Sequence, residues 1–149
     1  MPKIKLFISY AHEDKAIKDD LDKFLITLKR SDKIEVWHDH QINPGDEWDQ
    51  IIKNELITAD IILLLISVDF IASEYIWKNE LALAMERHEK REARIIPIIA
   101  RACDWNGLSF GKLQSLPAGT IPITSATNKD EILTEVAKRI REVVAFMAK

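Results

Sequence analysis

The chain has 149 residues, of which 47% are hydrophobic and 30% charged, and this is the size and composition of one compact globular domain. Its net charge of -3 excludes the classes of protein that wrap nucleic acid or lie on an anionic membrane by basic charge. The single cysteine, Cys103, excludes an internal disulfide and fits a reducing compartment.

No segment of the sequence resembles a signal peptide or a membrane span. Met1-Pro2-Lys3 leads directly into a strand-like segment, and the longest apolar run, Ile61 to Ile66, is far shorter than the about 20 residues of a spanning helix. Four glycines and five prolines leave no room for a flexible linker. We therefore expect one cytoplasmic domain over residues 1–149, either alone or as one module of a longer chain.

Five short apolar segments have the composition of β-strands. The third and fourth are apolar at nearly every position, which is typical of strands in a parallel sheet that helices cover on both faces. Pro97 has no N–H for the ladder and indicates an edge or a bulge in the fourth strand. The predicted strands are Ile4 to Ser9, Ile34 to His38, Ile61 to Ile66, Ile95 to Ile99 and Thr120 to Ile123.

Two helices are predicted in the first half of the chain. The first begins near Glu13 and Asp14, where negative charge suits the positive end of the helix dipole. The second runs from about Asp46 to Ile57 and is expected to bury Trp48. Between the second strand and this helix lies a polar loop, Asp39 to Asp46, with a Pro-Gly turn.

Two further helices are predicted in the second half. Ser73 is a candidate N-cap for the first of them, which ends in a charged run from Glu86 to Arg94 that we interpret as a solvated helix end. Asn128 followed by Glu131 resembles a capping box and indicates the start of the closing helix. Strand therefore alternates with helix along the whole chain.

This alternation predicts an α/β fold: a flavodoxin-like open parallel five-stranded sheet of order 2-1-3-4-5 with helices on both faces. Ligands of such sheets bind beyond the carboxyl ends of the strands, near the switch in strand order. Three segments meet at that edge: the turn Ser9 to His12, the loop Asp39 to Asp46, and the stretch Ser67 to Glu80.

Glu80 is the unusual residue of that edge. It lies three residues after Trp77 and four before Ala84, inside the stripe that Trp77, Leu81 and Ala84 define as the buried face of the helix. Spacing alone leaves two interpretations open. Glu80 either stands at the mouth of a cleft or lies at the edge of the stripe with its oxygens reaching water.

The sequence lacks the common cofactor and metal motifs. Neither G-x-G-x-x-G nor a P-loop can be drawn from the glycines present. His38 and His40 lie two residues apart, but no third ligand is in register, so we expect no metal. Cys103 has no partner base nearby in the sequence and is interpreted as a small packing residue.

Three motifs carry a resemblance to a known family. They are F-I-S-Y-A-H-E-D from Phe7 to Asp14, the acidic loop with Pro44-Gly45 and Trp48, and the run A-D-I-I-L-L-L-I-S followed by S-E-Y-I-W-K-N-E-L. In this order and spacing the chain resembles the Toll/interleukin-1 receptor (TIR) domain of a bacterial protein over nearly its whole length. Many members have a tryptophan four residues before the functional glutamate. Here Ile76 holds that position and Trp77 lies one residue later.

The resemblance implies one of two functions. Some TIR domains are adaptors that associate only with other TIR domains, largely through the loop between the second strand and the second helix. Others cleave NAD+ and release nicotinamide with ADP-ribose or a cyclic variant. The second function implies NAD+ as the substrate and no separate cofactor. We expect an assembly-dependent NAD+ glycohydrolase, an effector in bacterial immunity and antiphage defense, and keep the non-enzymatic adaptor as the alternative.

The resemblance also implies roles for individual residues. Glu80 is the expected catalytic carboxylate, because it can stabilise a positively charged ribose. Phe7, Tyr10 and Trp48 either stack on the nicotinamide ring or pack the core, and for Phe7 and Trp48 packing is favoured. The full set of expected substrate-binding residues is Phe7, Ser9, Tyr10, Asp39, Trp48, Ser73 and Trp77. The expected interface residues are Ile42, Asn43, Pro44 and Gly45.

The expected partners follow from the same resemblance. They are NAD+, further copies of the domain through TIR–TIR contacts, and a sensor or regulatory domain in the same or a partner chain. Neither nucleic acid nor a membrane is expected to bind.

Overall fold

A computed structural model describes residues 3–37 and 47–148. Its described strands form one parallel sheet of order β2-β1-β3-β4. The strands are β1 (Ile4–Ser9), β2 (Ile34–Val36), β3 (Ile61–Ile66) and β4 (Arg94–Ile99). The predicted α/β class, parallel pairing and strand order are confirmed for these four strands.

Helices connect the strands and cover the sheet. They are α1 (Lys15–Phe24), α2 (Ile26–Arg30), α3 (Trp48–Thr58), α4 (Val68–Ala72), α5 (Ala82–Glu89) and α6 (Lys129–Met147). A π-helical turn, Ile76–Leu81, leads into α5, and short 3-10 turns occupy His12–Asp14, Ala118–Thr120 and Ile123–Ser125. No helix in the described part of the chain is long and apolar enough to cross a membrane.

Two apolar cores lie on opposite faces of the sheet, because side chains alternate along each strand. On one face, Leu6, Ile8 and Leu63 pack with α1, α2 and α6. On the other face, Phe7, Ile62 and Leu64 pack with α3, α4 and α5. Every residue of β3 is buried, as its continuous apolar sequence predicted.

The predicted fifth strand is wrong. The segment from Thr120 to Ile123 lies in and between two 3-10 turns. In the described part of the chain after β4, Leu116 forms a single parallel bridge to Ile98. Pro117 and Pro122 cannot donate ladder hydrogen bonds, so the ladder stops after that bridge. Among the described strands β4 is therefore an edge strand, in agreement with the proline inside it.

The charged end of α5 is ordered and not merely solvated, which corrects the sequence interpretation. The Arg87 guanidinium donates to the carbonyls of Leu56 at 2.7 Å and Ala59 at 2.6 Å, and to that of Glu92 at 3.0 Å. These contacts satisfy carbonyls at the end of α3, which have no partner within their own helix. Arg87 thereby ties α3 and the turn before β4 to α5.

Candidate functional site

A cleft of about 460 Å³ lies beyond the carboxyl end of β1. The turn after β1 forms one side, and α3 together with the segment from α4 into the π turn forms the other. Its described lining residues are Tyr10, Ala11, His12, Glu13, Trp48, Ile52, Asp69, Ala72, Ser73, Tyr75, Ile76 and Glu80. This is the edge of the sheet at which the strand order predicted a ligand site.

Glu80 lies in this cleft and is almost fully buried, with 8% of its surface exposed. The Ser9 hydroxyl, at the end of β1, donates a 2.7 Å hydrogen bond to Glu80 Oε1. Ser9 is itself 1% exposed. The interpretation of Glu80 as an edge residue with solvated oxygens is therefore wrong, and the carboxylate is held against the central strands at the cleft wall.

The π turn decides which aromatic side chain accompanies Glu80. Its backbone hydrogen bonds join residues five apart, so Tyr75, five residues before Glu80, lines the same cleft. Trp77 packs against Phe110 instead, with ring centroids 6.4 Å apart at 65°, and does not line the cleft. An α-helical reading of the sequence places Trp77 too close to Glu80 and misses Tyr75.

The start of this segment agrees with the sequence. The Ser73 hydroxyl accepts a hydrogen bond from the Ile76 backbone N–H at 3.2 Å, which is the predicted capping contact. Ser73 also lines the cleft.

Trp48 and Tyr75 form an aromatic pair at the cleft. Their ring centroids are 4.9 Å apart and tilted by 36°. Trp48 is 50% exposed, so its predicted burial in the core is wrong. The pKa of Tyr75 lies well above its usual value, mainly because the residue is partly buried. The nearby carboxylates of Glu80 and Asp49, and a hydrogen bond to Asp49, raise this pKa further.

The other predicted contact residues are divided between cleft and core. Tyr10 lines the cleft, and the Lys18 ammonium lies 5.0 Å from the centroid of its ring. Phe7 is buried in the core and stacks on Trp37 with ring centroids 5.6 Å apart, which leaves it no surface toward the cleft.

Several residues named in the sequence analysis lie outside the described part of the chain. They are the expected binding residue Asp39, the histidines His38 and His40, and the expected interface residues Ile42, Asn43, Pro44 and Gly45.

A polar network that the sequence analysis missed joins three strand ends beside the cleft. Asp14 follows β1, Ser67 follows β3 and Arg101 follows β4. The Ser67 hydroxyl and Arg101 Nε both donate to the buried Asp14 carboxylate, the latter at 2.7 Å. A second Arg101 nitrogen donates to Asp69. The sequence holds only a weak signal of this network, since Ser67 and Arg101 lie within two residues of a strand end but Asp14 lies five residues beyond β1.

The described residues contain no group of three or more metal-ligating side chains of the His, Cys, Asp and Glu types. Cys103 is a free, half-buried thiol on the α3, α4 and α5 side of the sheet, and burial raises its pKa. The cleft therefore offers buried and half-buried carboxylates, hydroxyls and an aromatic pair, a set suited to binding and stabilising a flat, positively charged organic group.

The sheet topology defines a doubly wound α/β domain with a cleft at the point where the strand order switches, and Glu80 lies in that cleft. A family model described as TIR domain matches residues 6–140. The chain belongs to the TIR domain family.

One curated relative and one solved structure show how the chain compares with known proteins. It is 48% identical over 142 residues to the uncharacterized protein y4lF of Sinorhizobium fredii, a match that covers 95% of this chain and 43% of the relative. The chain thus spans less than half the length of that relative. It also resembles the crystal structure of the RPS4 and RRS1 TIR domain heterodimer, with a TM-score of 0.58, 10% identity, and 94% and 96% of the two chains covered. At this identity the likeness shows the fold.

Proposed function

We propose that this TIR domain cleaves NAD+, releasing nicotinamide and leaving ADP-ribose or a cyclic variant of it, with Glu80 as the catalytic carboxylate. The observation that carries the proposal is the placement of Glu80, which is 8% exposed, bound by Ser9 and part of a cleft wall. A solvated surface glutamate needs no such support.

The chemistry of NAD+ explains why one carboxylate is sufficient. Nicotinamide leaves as a neutral molecule from a cationic pyridinium, so no general acid has to protonate it. Positive charge develops on the ribose as the glycosidic bond breaks. A fixed, poorly hydrated carboxylate stabilises that charge more strongly than water does. Glu80, held by Ser9, meets this requirement.

The aromatic pair supplies the second part of the site. Trp48 is half-exposed and packs against Tyr75 at the cleft, with the two rings tilted relative to one another. Such a surface binds a flat cationic ring by stacking and by attraction between the cation and the aromatic faces. The nicotinamide ring is therefore assigned to the Trp48 and Tyr75 side of the cleft, with the ribose toward Glu80.

For the whole protein we propose an effector in bacterial immune signalling, antiphage defense included. The relative is more than twice as long as the match, which supports a chain with a further sensing or regulatory domain. We propose that the domain acts in the cytoplasm and that copies associate through TIR–TIR contacts to reach full activity. Dilution of the purified protein is then expected to lower the turnover per molecule, and a turnover that stays constant would count against dependence on assembly.

The test is nicotinamide release from NAD+ at high protein concentration, comparing the wild type with Glu80→Gln and Glu80→Ala. We expect both variants to lose at least about 100-fold in rate, the scale of removing one preorganised charge-stabilising group. Glu74→Gln is the matched control, because Glu74 is an exposed carboxylate in the same segment. Its rate is expected to equal that of the wild type, and circular dichroism checks that each variant is folded.

A second candidate function is a non-enzymatic adaptor. The solved structure that the chain resembles is a TIR domain heterodimer, which favours association as the function. On this alternative Glu80 has no chemical role. An assembled wild type that releases no nicotinamide supports the adaptor and rejects the enzyme.

A further inference from the structure

The network around Arg101 connects the buried interior to the cleft. Asp14 is buried, and its carboxylate accepts a 2.7 Å hydrogen bond from Arg101 Nε and another from the Ser67 hydroxyl. The other end of the guanidinium binds Asp69, whose side chain is 33% exposed and lines the cleft. Arg101 thus holds one buried and one accessible carboxylate.

The charges of this network do not cancel. The hydrogen bonds to Asp14 and then to Asp69 raise the pKa of Arg101 above its usual value, so the guanidinium stays charged. Two carboxylates share this one cation, and Asp14, the more deeply buried partner, is satisfied by two donors. Asp69 therefore presents surplus negative charge and free acceptor capacity to the cleft.

We propose that Asp69 is a second carboxylate that contacts the substrate, accepting hydrogen bonds from the hydroxyls of a ribose attached to a cationic ring, and that Arg101 is the positioning residue that orients it. This assignment rests on the proposed cleavage of NAD+. It adds a binding group to the site without altering the catalytic role of Glu80.

The ionisable residues of the cleft support this class of ligand. Glu13, Asp69 and Glu80 are acids in its wall, and its described lining includes one histidine, His12, and no lysine or arginine. An acidic cleft favours the cationic N-ribosyl pyridinium end of the substrate over its phosphates.

Arg101 orients the Asp69 carboxylate, and this orientation favours binding of a ligand to Asp69. One Arg101 nitrogen donates to one Asp69 oxygen, which restricts the rotation of the carboxylate and leaves its other oxygen able to accept from a ligand. A preorganised acceptor loses little side-chain entropy when the ligand binds. The buried Asp14 in turn prevents Arg101 from swinging into solvent.

The first experiment measures KM and kcat for nicotinamide release from NAD+ in wild type, Asp69→Asn and the control Glu74→Gln. Asparagine keeps the shape and can still accept from Arg101, but it removes the charge. We expect KM to rise about tenfold, the scale of one charge-assisted hydrogen bond, with kcat changed less than about threefold. Asp69→Ser is the second variant if Asp69→Asn does not fold, with the same expected rise in KM.

The second experiment tests whether Arg101 acts through Asp69. Arg101→Lys keeps the charge but loses the fork that reaches both carboxylates, so KM is expected to rise. In the Asp69→Ser background, where the side chain is too short to reach Arg101, the same change is expected to leave KM unaltered. A merely structural role predicts instead that Arg101→Lys lowers Tm and adds its full effect on KM in both backgrounds.

The outcomes separate this assignment from the proposed function. If the wild type releases nicotinamide and Asp69→Asn and Asp69→Ser leave KM unchanged, the role of Asp69 is overturned and the enzyme stands. If the assembled wild type neither binds nor cleaves NAD+, the proposed function is overturned and this assignment with it.

Discussion

The hydrogen bond between Ser9 and Glu80 can be tested by its free energy, independently of any activity. The change is Ser9→Ala, which removes the donor and leaves the backbone of β1 intact. The bond is 2.7 Å long, and its two residues are 1% and 8% exposed. Water therefore has little access to replace the lost donor.

The expected magnitude follows from this burial. A hydrogen bond to a charged group contributes about 1.5–3 kcal/mol to stability, and water cannot readily replace a donor that is removed at a buried site. Ser9→Ala is thus expected to lower the free energy of unfolding by about 2 kcal/mol. In the Glu80→Ala background the same change is expected to have little effect or to stabilise, because the hydroxyl has already lost this acceptor.

The assay is urea denaturation followed by tryptophan fluorescence for the wild type, both single variants and the double variant. Ser109→Ala, at an exposed serine, is the control and is expected to change stability by less than about 0.5 kcal/mol. Equal costs of Ser9→Ala in the two backgrounds would refute the reasoning, since the two side chains would then be energetically independent.

Two further predictions concern other contacts. Arg87→Met is expected to lower the free energy of unfolding by about 3 kcal/mol, because carbonyls at the end of α3 and in the turn before β4 lose a charged donor. The control is Arg141→Met, at an exposed arginine of α6. Equal losses of stability in the two variants would contradict the prediction. The raised pKa of Tyr75 means that above the ordinary tyrosine pKa of about 10 the unfolded chain releases this proton first, so stability falls as pH rises from there. Absorbance titration of tyrosinate in wild type and Tyr75→Phe tests the raised pKa, because the variant is expected to lose the component that titrates at the highest pH. An unchanged late component in the variant would reject the assignment of the raised pKa to Tyr75.

Much of the fold could be predicted because its signals are local. The continuous apolar run of β3 indicated a strand covered on both faces, and all six of its residues are buried. Asn128 predicted the start of α6, and its side chain accepts from the Glu131 N–H at 3.1 Å. The prediction of the fifth strand failed because Pro122 lies inside this short segment and Pro117 lies just before it, and neither can donate a ladder hydrogen bond.

The candidate site was predicted in part for the same reason. Helical spacing correctly placed Glu80 on the side facing the sheet, because residues three and four apart share a face of a helix and those neighbours, Trp77 and Ala84, are apolar here. Spacing could not give the π turn, which changes the residue that shares the cleft from Trp77 to Tyr75. It also misjudged Trp48, whose helix turns that ring toward Tyr75 and solvent.

By itself the sequence determined the strands at the centre of the sheet, the capped starts of two helices and the presence of an acid on an apolar helix face. These features depend on residues a few positions apart. Only the tertiary structure decided that Ser9 would meet Glu80, 71 positions away, and that Arg101 would bridge Asp14 and Asp69. Such pairs form because parallel strands bring their carboxyl ends to one edge, and no local pattern records which side chains meet there.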